Sequence, residues 1–576
     1  FEIGKIIITK CNLDRSIRSV SVLELQYSTF GIIFISILIF PLIAFTQQAE
    51  IILKIIAYIL ILSGIKFLLL SKNIVSQLHF KNRGISFYVY LIILLFYLLL
   101  ALTPLTAADV LDYHAGVALN ILRFNQYILL PEWFTGLQAG HGEALIALGF
   151  ALGAEQFGSL VQFSSLLTIS GVIINFCKNN IFNKSKYFLI LTVLSCPILI
   201  FLLSGNKPQI FYSSLLLLSF VFNFTKFKNK KTDLINYLII NILICICVMG
   251  KFSFNLTGGL VWIYSTINYL KRNDIKIFII PGLVFTILFF PFIYWKFANL
   301  GGNLINYIFS PFPLHLPGYE TFLSHNRGSQ EIPFPNFLFY TSFSRITEYL
   351  AFNPIFFLIL IFFYKKNNEI RIILLLSSIF VIVSNVYASP SARYYLDIVL
   401  WLTIGIILTN NNNIINFIKI LFVPQILVIF LILSYSVYNF FPGSFSVSKY
   451  EKVKHKHAYL YSGFQWLNEN VPENSKILII NRPISQYKDF AVSGSFNYFT
   501  NEQEGTFYKE LISKYNLDFI VYFGSKPDFM HLDGCTRDVY LQKNNIGFHA
   551  TRNPFNKGSS YNGYIYYFDK SKLPAC

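Results

Sequence analysis

The sequence predicts an all-α polytopic membrane domain of about thirteen transmembrane helices, followed by a small C-terminal α/β domain. Of its 576 residues, 55% are hydrophobic and only 13% are charged, which is too little charge to cover the surface of a soluble protein of this length. The apolar residues also form blocks of about 18–20 residues, the length at which a helix crosses the hydrocarbon core. After residue 440 these blocks give way to shorter apolar runs between polar segments.

The basic residues fall in alternate loops, and this pattern predicts the orientation of the chain. One set of loops carries most of the excess positive charge, including lysines at 226, 228, 230 and 231. The positive-inside rule places that set in the cytosol. The net charge of +18 therefore reflects topology, and no nucleic-acid partner is predicted. We expect a bacterial inner-membrane protein with a cytoplasmic N-terminus and a periplasmic or extracellular C-terminal domain.

The predicted organisation has a cytoplasmic segment (1–29), a membrane domain (30–440) and an extracytoplasmic domain (441–576). Two non-cytoplasmic loops, at about 104–154 and 298–348, exceed ordinary connections and are candidates for function. The predicted spans are 30–46, 50–70, 86–103, 155–176, 187–204, 209–224, 235–250, 253–270, 277–297, 349–364, 371–388, 394–409 and 416–440.

The first long loop contains two segments with structure of their own. Ala107–Phe124 has apolar residues at helical spacing among polar ones, which predicts an amphipathic helix at the membrane interface. His141–Gly153 is apolar but too short to span, so we expect it to lie along the membrane or to re-enter it.

The C-terminal domain has the alternation expected of a small α/β fold. Its predicted elements are a helix at Tyr459–Asn470 ended by Pro472, a helix at Phe507–Tyr515, and strands at Lys476–Asn481, Asp518–Phe523 and Tyr564–Phe568. Cys535 and Cys576 are the only cysteines of this domain. An oxidising compartment favours a disulfide between them, and two unpaired thiols are the alternative.

The first long loop opens on the strongest candidate for chemistry. Asp109 and Asp112 are three residues apart, so on a helix their carboxylates share one face, and His114 follows closely. Two acids at the end of a span, beside the low-dielectric membrane, are suited to general-base catalysis. The alternative is that Asp109 only caps the helix and Asp112 is solvated.

In the spacing of Asp109 and Tyr113, the sequence resembles members of the GT-C superfamily of integral membrane glycosyltransferases. This superfamily includes protein O-mannosyltransferases and the aminoarabinose transferases of lipid A. Those enzymes take a sugar from a polyprenyl-phosphate carrier. Their catalytic acid lies early in the first large non-cytoplasmic loop, commonly beside a second acid and four residues before a Tyr. Here Asp109 fits the acid and Tyr113 the aromatic residue, whereas Val110 stands where the second acid is often found. The resemblance also covers the many spans and the exported domain.

Two further segments resemble parts of these enzymes. Lys207 lies in a proline-containing turn between two spans, and this turn resembles the one near the carrier phosphate in these enzymes. Arg393-Tyr394 resembles the Arg-Tyr pair at the start of a late helix in the same enzymes. Guanidinium is the natural bidentate partner of a phosphate. A snorkelling Lys and a structural Arg in an aromatic belt are the alternatives.

Other ionisable residues on the same side complete the list of candidates. Glu143 and Glu155 lie inside apolar segments, where an ionisable group is costly and therefore suggests function. Arg327 lies in the proline-rich second loop, which is predicted either to be an ordered flap over a site or to be solvated. No ligand spacing predicts a metal site, so no cofactor is required, although a divalent cation is left open.

The sequence therefore predicts a glycosyltransferase that uses a polyprenyl-phosphate-linked sugar and an extracytoplasmic acceptor (a glycan, a lipid or a protein), with membrane lipid as a further partner. Asp109 is the predicted base, supported by Asp112 or His114. A polysaccharide polymerase or ligase of the O-antigen type is one alternative, although the outer loops are acid-leaning rather than basic. A lipid or solute transporter without covalent chemistry, or a membrane scaffold, are the others.

Overall fold

The computed structural model describes most of the chain, and all structural statements below concern that part. It covers residues 4–5, 23–70, 84–178, 181–224, 230–271, 279–310, 367–387, 395–480, 484–489, 491–493, 510–524, 536–548 and 558–569. The predicted span at 349–364 and the candidate residues Arg327, Arg393, Tyr394, Cys535 and Cys576 lie outside the described residues.

Within the described residues, the membrane part of the chain consists of helices. They are α1 (Leu23–Phe45), α2 (Ala49–Leu70), α3 (Ile85–Ala101), α4 (Ala115–Arg123), α5 (His141–Phe150), α6 (Phe157–Cys177), α7 (Lys186–Leu194), α8 (Ile198–Leu203), α9 (Gln209–Phe222), α10 (Lys230–Gly250), α11 (Asn255–Leu270), α12 (Ile279–Leu300), α13 (Asn306–Phe309), α14 (Asn368–Tyr387), α15 (Leu396–Thr409) and α16 (Asn412–Phe440).

The predicted spans within the described residues lie on these helices, with one correction. The span predicted at 187–204 is two helices, α7 and α8, separated at Pro197. Proline cannot donate a hydrogen bond to the preceding turn, and its ring clashes with the carbonyl four residues earlier, so a helix breaks there. The total of thirteen spans stays a prediction.

The lengths and surfaces of the helices are those of an integral membrane protein. Among the described residues, five helices are long and apolar enough to cross a bilayer. The longest, α16, exposes Ile420, Leu427 and Leu431 on one side and buries Ile429 and Leu433 on the other. A continuous apolar face of this kind is unfavourable in water and is expected of a helix against lipid.

Helix α9 lies at the centre of the bundle. Every residue from Gln209 to Phe222 is buried, and the helix packs against α6, α10, α11 and α15. Because α9 begins directly after the turn that carries Lys207, a fully buried helix fixes the position of that lysine.

The C-terminal part contains helices α17 (Val447–His457) and α18 (Tyr461–Asn470) and one mixed sheet. The strands are β1 (Ile477–Ile480), β2 (Ala491–Ser493), β3 (Phe519–Gly524), β4 (Thr536–Phe548) and β5 (Ser559–Phe568), in the order β2-β1-β3-β5-β4. Strand β1 is parallel to β2 and β3, whereas β5 is antiparallel to β3 and β4. The predicted small sheet is therefore confirmed.

Helix α17 and strands β2 and β4 are absent from the sequence prediction. The sequence of α17, VSKYEKVKHKH, is dominated by charged and polar side chains, so hydrophobic periodicity gives no signal. The start of α17 does carry a signal in the sequence, because the Ser446 side chain accepts a hydrogen bond from the Lys449 backbone N–H at 3.3 Å. A serine in this position is a helix N-cap.

Candidate active site

The predicted helix of the first long loop is present but differs in two respects. Residues 108–123 are helical, with one π-helical turn at Val110–His114 before α4. The polar residues Asp112, His114 and Asn120 are buried, so these side chains contact the protein interior. Asp109 precedes the π turn and Asp112 lies within it, and their carboxylates, which α-helical spacing would place on one face, contact different partners.

Asp109 forms an ion pair with Lys207. The Lys207 Nζ lies 2.8 Å from Asp109 Oδ2, and the same ammonium lies 3.8 Å above the ring of Phe201. The Lys207 side chain is 0% exposed whereas that of Asp109 is 20% exposed. The structure therefore joins two candidates that the sequence separates by 98 positions, and the carboxylate is the member of the pair that remains accessible.

Asp112 is held by two donors from the same loop. Trp133 Nε1 donates to Asp112 Oδ1 at 3.2 Å, and Thr135 Oγ1 donates to Oδ2 at 3.1 Å. The side chain is buried, so the alternative of a solvated Asp112 was wrong. With both oxygens engaged, this carboxylate fixes the loop after α4 against the π turn.

His114 and Glu143 form a buried pair. The His114 Nδ1 and Glu143 Oε1 atoms are 2.7 Å apart, and Glu143 Oε2 accepts the Gly140 backbone N–H at 2.9 Å. A carboxylate only accepts hydrogen bonds, so Nδ1 carries the imidazole proton. His114 Nε2 is then an acceptor, and it has no hydrogen-bond partner among the described residues.

Burial lowers the pKa of His114. Loss of hydration lowers the pKa of His114 from 6.5 to about 4, although the hydrogen bond and the charge of Glu143 act in the opposite direction. The ammonium groups of Lys251 and Lys207 lower the pKa further. At neutral pH His114 is therefore an uncharged hydrogen-bond acceptor, and its contact with Glu143 is a charge-assisted hydrogen bond.

Small residues allow these segments to approach one another. A Cβ on Gly140 would lie 2.2 Å from the Met249 carbonyl oxygen, and a Cβ on Gly142 would lie 2.6 Å from Pro208 Cγ. The start of α5 thus packs directly against the end of α10 and the turn before α9. This contact brings Glu143, Lys207 and Lys251 into one polar layer inside the bundle.

The remaining candidates divide into those inside this layer and those outside the described residues. Tyr113 is buried, with its ring centroid 4.1 Å from that of His114. Arg327, Arg393 and Tyr394 belong to the second group. Lys251, which the prediction had not selected, is buried beside His114. Its signal in the sequence is a lone ionisable residue at the end of a span.

The buried histidines predict a pH dependence of stability. Burial lowers the pKa of His141 to about 3, besides that of His114. Between about pH 6.5 and 4 the unfolded chain binds protons at these positions and the folded protein does not, so stability is expected to fall as the pH falls. Each histidine contributes up to about 1.4 kcal/mol per pH unit.

Thermal unfolding of the detergent-solubilised protein between pH 7.5 and 4.5 measures this effect. The His141→Gln variant is expected to lose less stability across the window than the wild type. His455 is exposed on α17, and His455→Gln should follow the wild type. Equal pH slopes for the wild type and His141→Gln would contradict the assignment.

Comparison with known proteins identifies the family. Residues 71–454 match the DUF1420 N-terminal domain, which is more than half of the chain and includes every residue of the polar layer. The chain belongs to the DUF1420 family. No curated protein matches this DUF1420 chain by sequence.

Among solved structures, this DUF1420 chain is similar to two of ArnT from Cupriavidus metallidurans. The TM-score is 0.46 for the structure bound to undecaprenyl phosphate and 0.47 for the apo structure. In both cases 10% of residues are identical, and the alignment covers 83% of this chain and 97% of the other.

Proposed function

We propose that this chain is a membrane glycosyltransferase that transfers a sugar from a polyprenyl-phosphate carrier to an extracytoplasmic acceptor. The observation that carries the proposal is the asymmetric ion pair, in which a partly exposed Asp109 carboxylate is held by a fully buried Lys207. A lysine at 2.8 Å favours the ionised form of its partner. The carboxylate is thus oriented, charged and accessible, as a general base must be.

The proposed reaction is a single displacement at the sugar carbon that bears the phosphate. The acceptor hydroxyl or amine attacks this carbon and gives its proton to Asp109, while the carbon–oxygen bond to the phosphate breaks and the electron pair leaves with the polyprenyl phosphate. Negative charge develops on the leaving phosphate oxygen, which an ammonium group would stabilise, and Lys251 is the candidate for this role because it is buried beside His114. Lys207 would orient the base.

His114 has a supporting role in this proposal. The Nε2 atom of His114 is an uncharged acceptor whose orientation Glu143 fixes, so it suits a hydroxyl of the donor or the acceptor rather than the anionic phosphate. Asp112 would hold the neighbouring loop in place rather than contact a substrate, because Trp133 and Thr135 already donate hydrogen bonds to its two oxygens. We also propose that the polar layer faces the extracytoplasmic side, in line with the distribution of basic residues.

Transfer by the purified chain tests the proposal. Protein in liposomes is supplied with polyprenyl phosphate carrying a radiolabelled sugar and with extracts of envelope lipids, glycans and proteins as acceptors. We expect label to move from the carrier to an acceptor, with release of unlabelled polyprenyl phosphate. Movement of intact labelled carrier between leaflets without transfer would favour a transporter, and successive addition of labelled units to a growing chain would favour a polymerase.

A further inference from the structure

Glu155 connects three parts of the chain that the sequence keeps far apart. It lies between α5 and α6, and its carboxylate accepts the Leu105 backbone N–H at 3.2 Å through Oε1. Its Oε2 atom accepts the Tyr450 hydroxyl at 3.1 Å and lies 3.6 Å from Lys454 Nζ. Leu105 precedes the π turn by a few residues, and Tyr450 and Lys454 belong to α17.

The backbone of Glu155 binds the third part. Asn206 Nδ2 donates to the Glu155 carbonyl oxygen at 2.6 Å. Asn206 has a positive φ of 47° and also accepts the Ser159 hydroxyl at 2.8 Å. A non-glycine residue in this left-handed region is held there by its surroundings, and here it fixes the turn immediately before Lys207.

The segment around α17 contacts the chain near Leu105 at further points. Ser444 Oγ donates to the Leu102 carbonyl oxygen at 2.7 Å, and the Tyr459 backbone N–H donates to the Thr106 carbonyl oxygen at 3.0 Å. Both ends of α17 are therefore fixed to residues 102–106, and Glu155 fixes its middle. The same residues lead directly into Asp109.

We propose that Glu155 is a positioning residue that couples α17 to both members of the Asp109–Lys207 pair. Its side chain holds the segment that leads to Asp109, its carbonyl holds the turn that carries Lys207, and the two α17 contacts join these to the C-terminal part. The catalytic consequence rests on the proposed function, whereas the coupling itself does not.

The carboxylate is required because both oxygens are used. Leu105 occupies Oε1, and Tyr450 and Lys454 share Oε2, with the Glu155 side chain only 16% exposed. A glutamine has one acceptor oxygen, so Glu155→Gln preserves one of these two sets of contacts and loses the attraction to Lys454. Glu155→Ala removes both sets and leaves the backbone bond to Asn206.

Hydrogen exchange of the full-length protein in detergent tests the coupling without any substrate. In Glu155→Ala we expect amide exchange about tenfold faster in residues 102–109 and 447–457, which lose a side-chain partner, and a smaller acceleration in residues 204–208, whose bond to the Glu155 carbonyl remains. Glu155→Gln should give a smaller change in the same three segments. Glu50→Ala, which removes an exposed acid paired with Lys54 on α2, should leave all three unchanged.

Faster exchange confined to 447–457, or no change in any segment, would overturn the coupling. Should Glu155→Ala fail to fold, Tyr450→Phe removes one hydrogen bond of the junction and is expected to accelerate the same three segments more weakly. Exchange in Tyr450→Phe identical to the wild type would then count against the proposal.

Transfer kinetics supply the second readout. We expect Glu155→Ala to lower kcat about tenfold per folded molecule with KM for the donor little changed, and Glu155→Gln to recover part of the loss. A lowered melting temperature with unaltered kcat would reduce Glu155 to a structural residue and overturn the proposal. Absence of transfer by the wild type would contradict the proposed function alone, because the exchange experiment still decides the coupling.

Discussion

Replacing Asp109 by Asn is expected to lower kcat by about 10²–10⁴-fold, the range that removal of a general base gives. The amide is nearly the same size as the carboxylate and cannot accept the acceptor's proton, so the loss should fall on the chemical step. KM for the polyprenyl-phosphate donor should change little. Single-turnover transfer of radiolabelled sugar measures the effect directly.

A change of stability accompanies this substitution and must be separated from the loss of catalysis. Asp109→Asn leaves the buried Lys207 ammonium without its charged partner, and breaking a fully buried pair costs about 3–5 kcal/mol. The cost here should be smaller because Asp109 is 20% exposed. Adding Lys207→Met removes the unpaired charge, so the double variant should regain stability but not activity.

Normal transfer by the Asp109→Asn variant would remove Asp109 from the mechanism. A double variant that regains both stability and activity would show that the pair is structural. The matched control is Glu132→Gln, since Glu132 is a buried acid of the same loop whose carboxylate lies 3.4 Å from Lys514 Nζ. This control should keep turnover within about twofold of the wild type.

Glu143→Gln is expected to have the second-largest effect, through the tautomer of His114. The Gly140 backbone N–H needs an acceptor, so the amide carbonyl of the substituted side chain should face Gly140 and its NH₂ group should face His114 Nδ1. Nδ1 must then accept, and the imidazole proton moves to Nε2. The open acceptor of the site becomes a donor, and we expect kcat to fall about 10²-fold or more.

Nitrogen-15 NMR of labelled histidine reports the tautomer independently of turnover. The wild type should show the Nδ1–H form at His114, and Glu143→Gln should show the Nε2–H form. Glu143→Ala is a useful comparison because it removes the orienting group and leaves the Gly140 N–H unpaired, at a cost of about 1–3 kcal/mol. A Glu143→Gln variant with the altered tautomer and full activity would exclude His114 from the reaction.

Much of the fold follows from the sequence because it depends on local composition. A block of about twenty apolar residues must form a helix in lipid wherever it lies in the chain, since its backbone has no other hydrogen-bond partners. The predicted spans therefore coincide with helices such as α6 and α16. Prediction from local composition fails where a polar helix forms, as in α17, and where Pro197 divides an apolar block into two helices.

The members of the candidate site could be selected from the sequence for a similar reason. An ionisable residue at the end of a span or within an apolar segment is costly, so Asp109 and Glu143 stand out without any structure. Lys251 meets the same criterion. Lys207 was selected through the resemblance of its turn to that of the GT-C enzymes. The loop and the residue types are thus properties of the sequence alone.

The contacts between these residues are not properties of the sequence alone, because they depend on which segments of the chain meet in space. The pairs Asp109–Lys207 and His114–Glu143 join residues 98 and 29 positions apart, and no local pattern encodes either contact. Asp112 accepts hydrogen bonds from Trp133 and Thr135, whereas Asp109 pairs with Lys207. Sequence determined that a membrane bundle carries acids and lysines at one end. Tertiary packing alone decided which carboxylate stays accessible, because burial and pairing are set by the neighbours that the fold supplies.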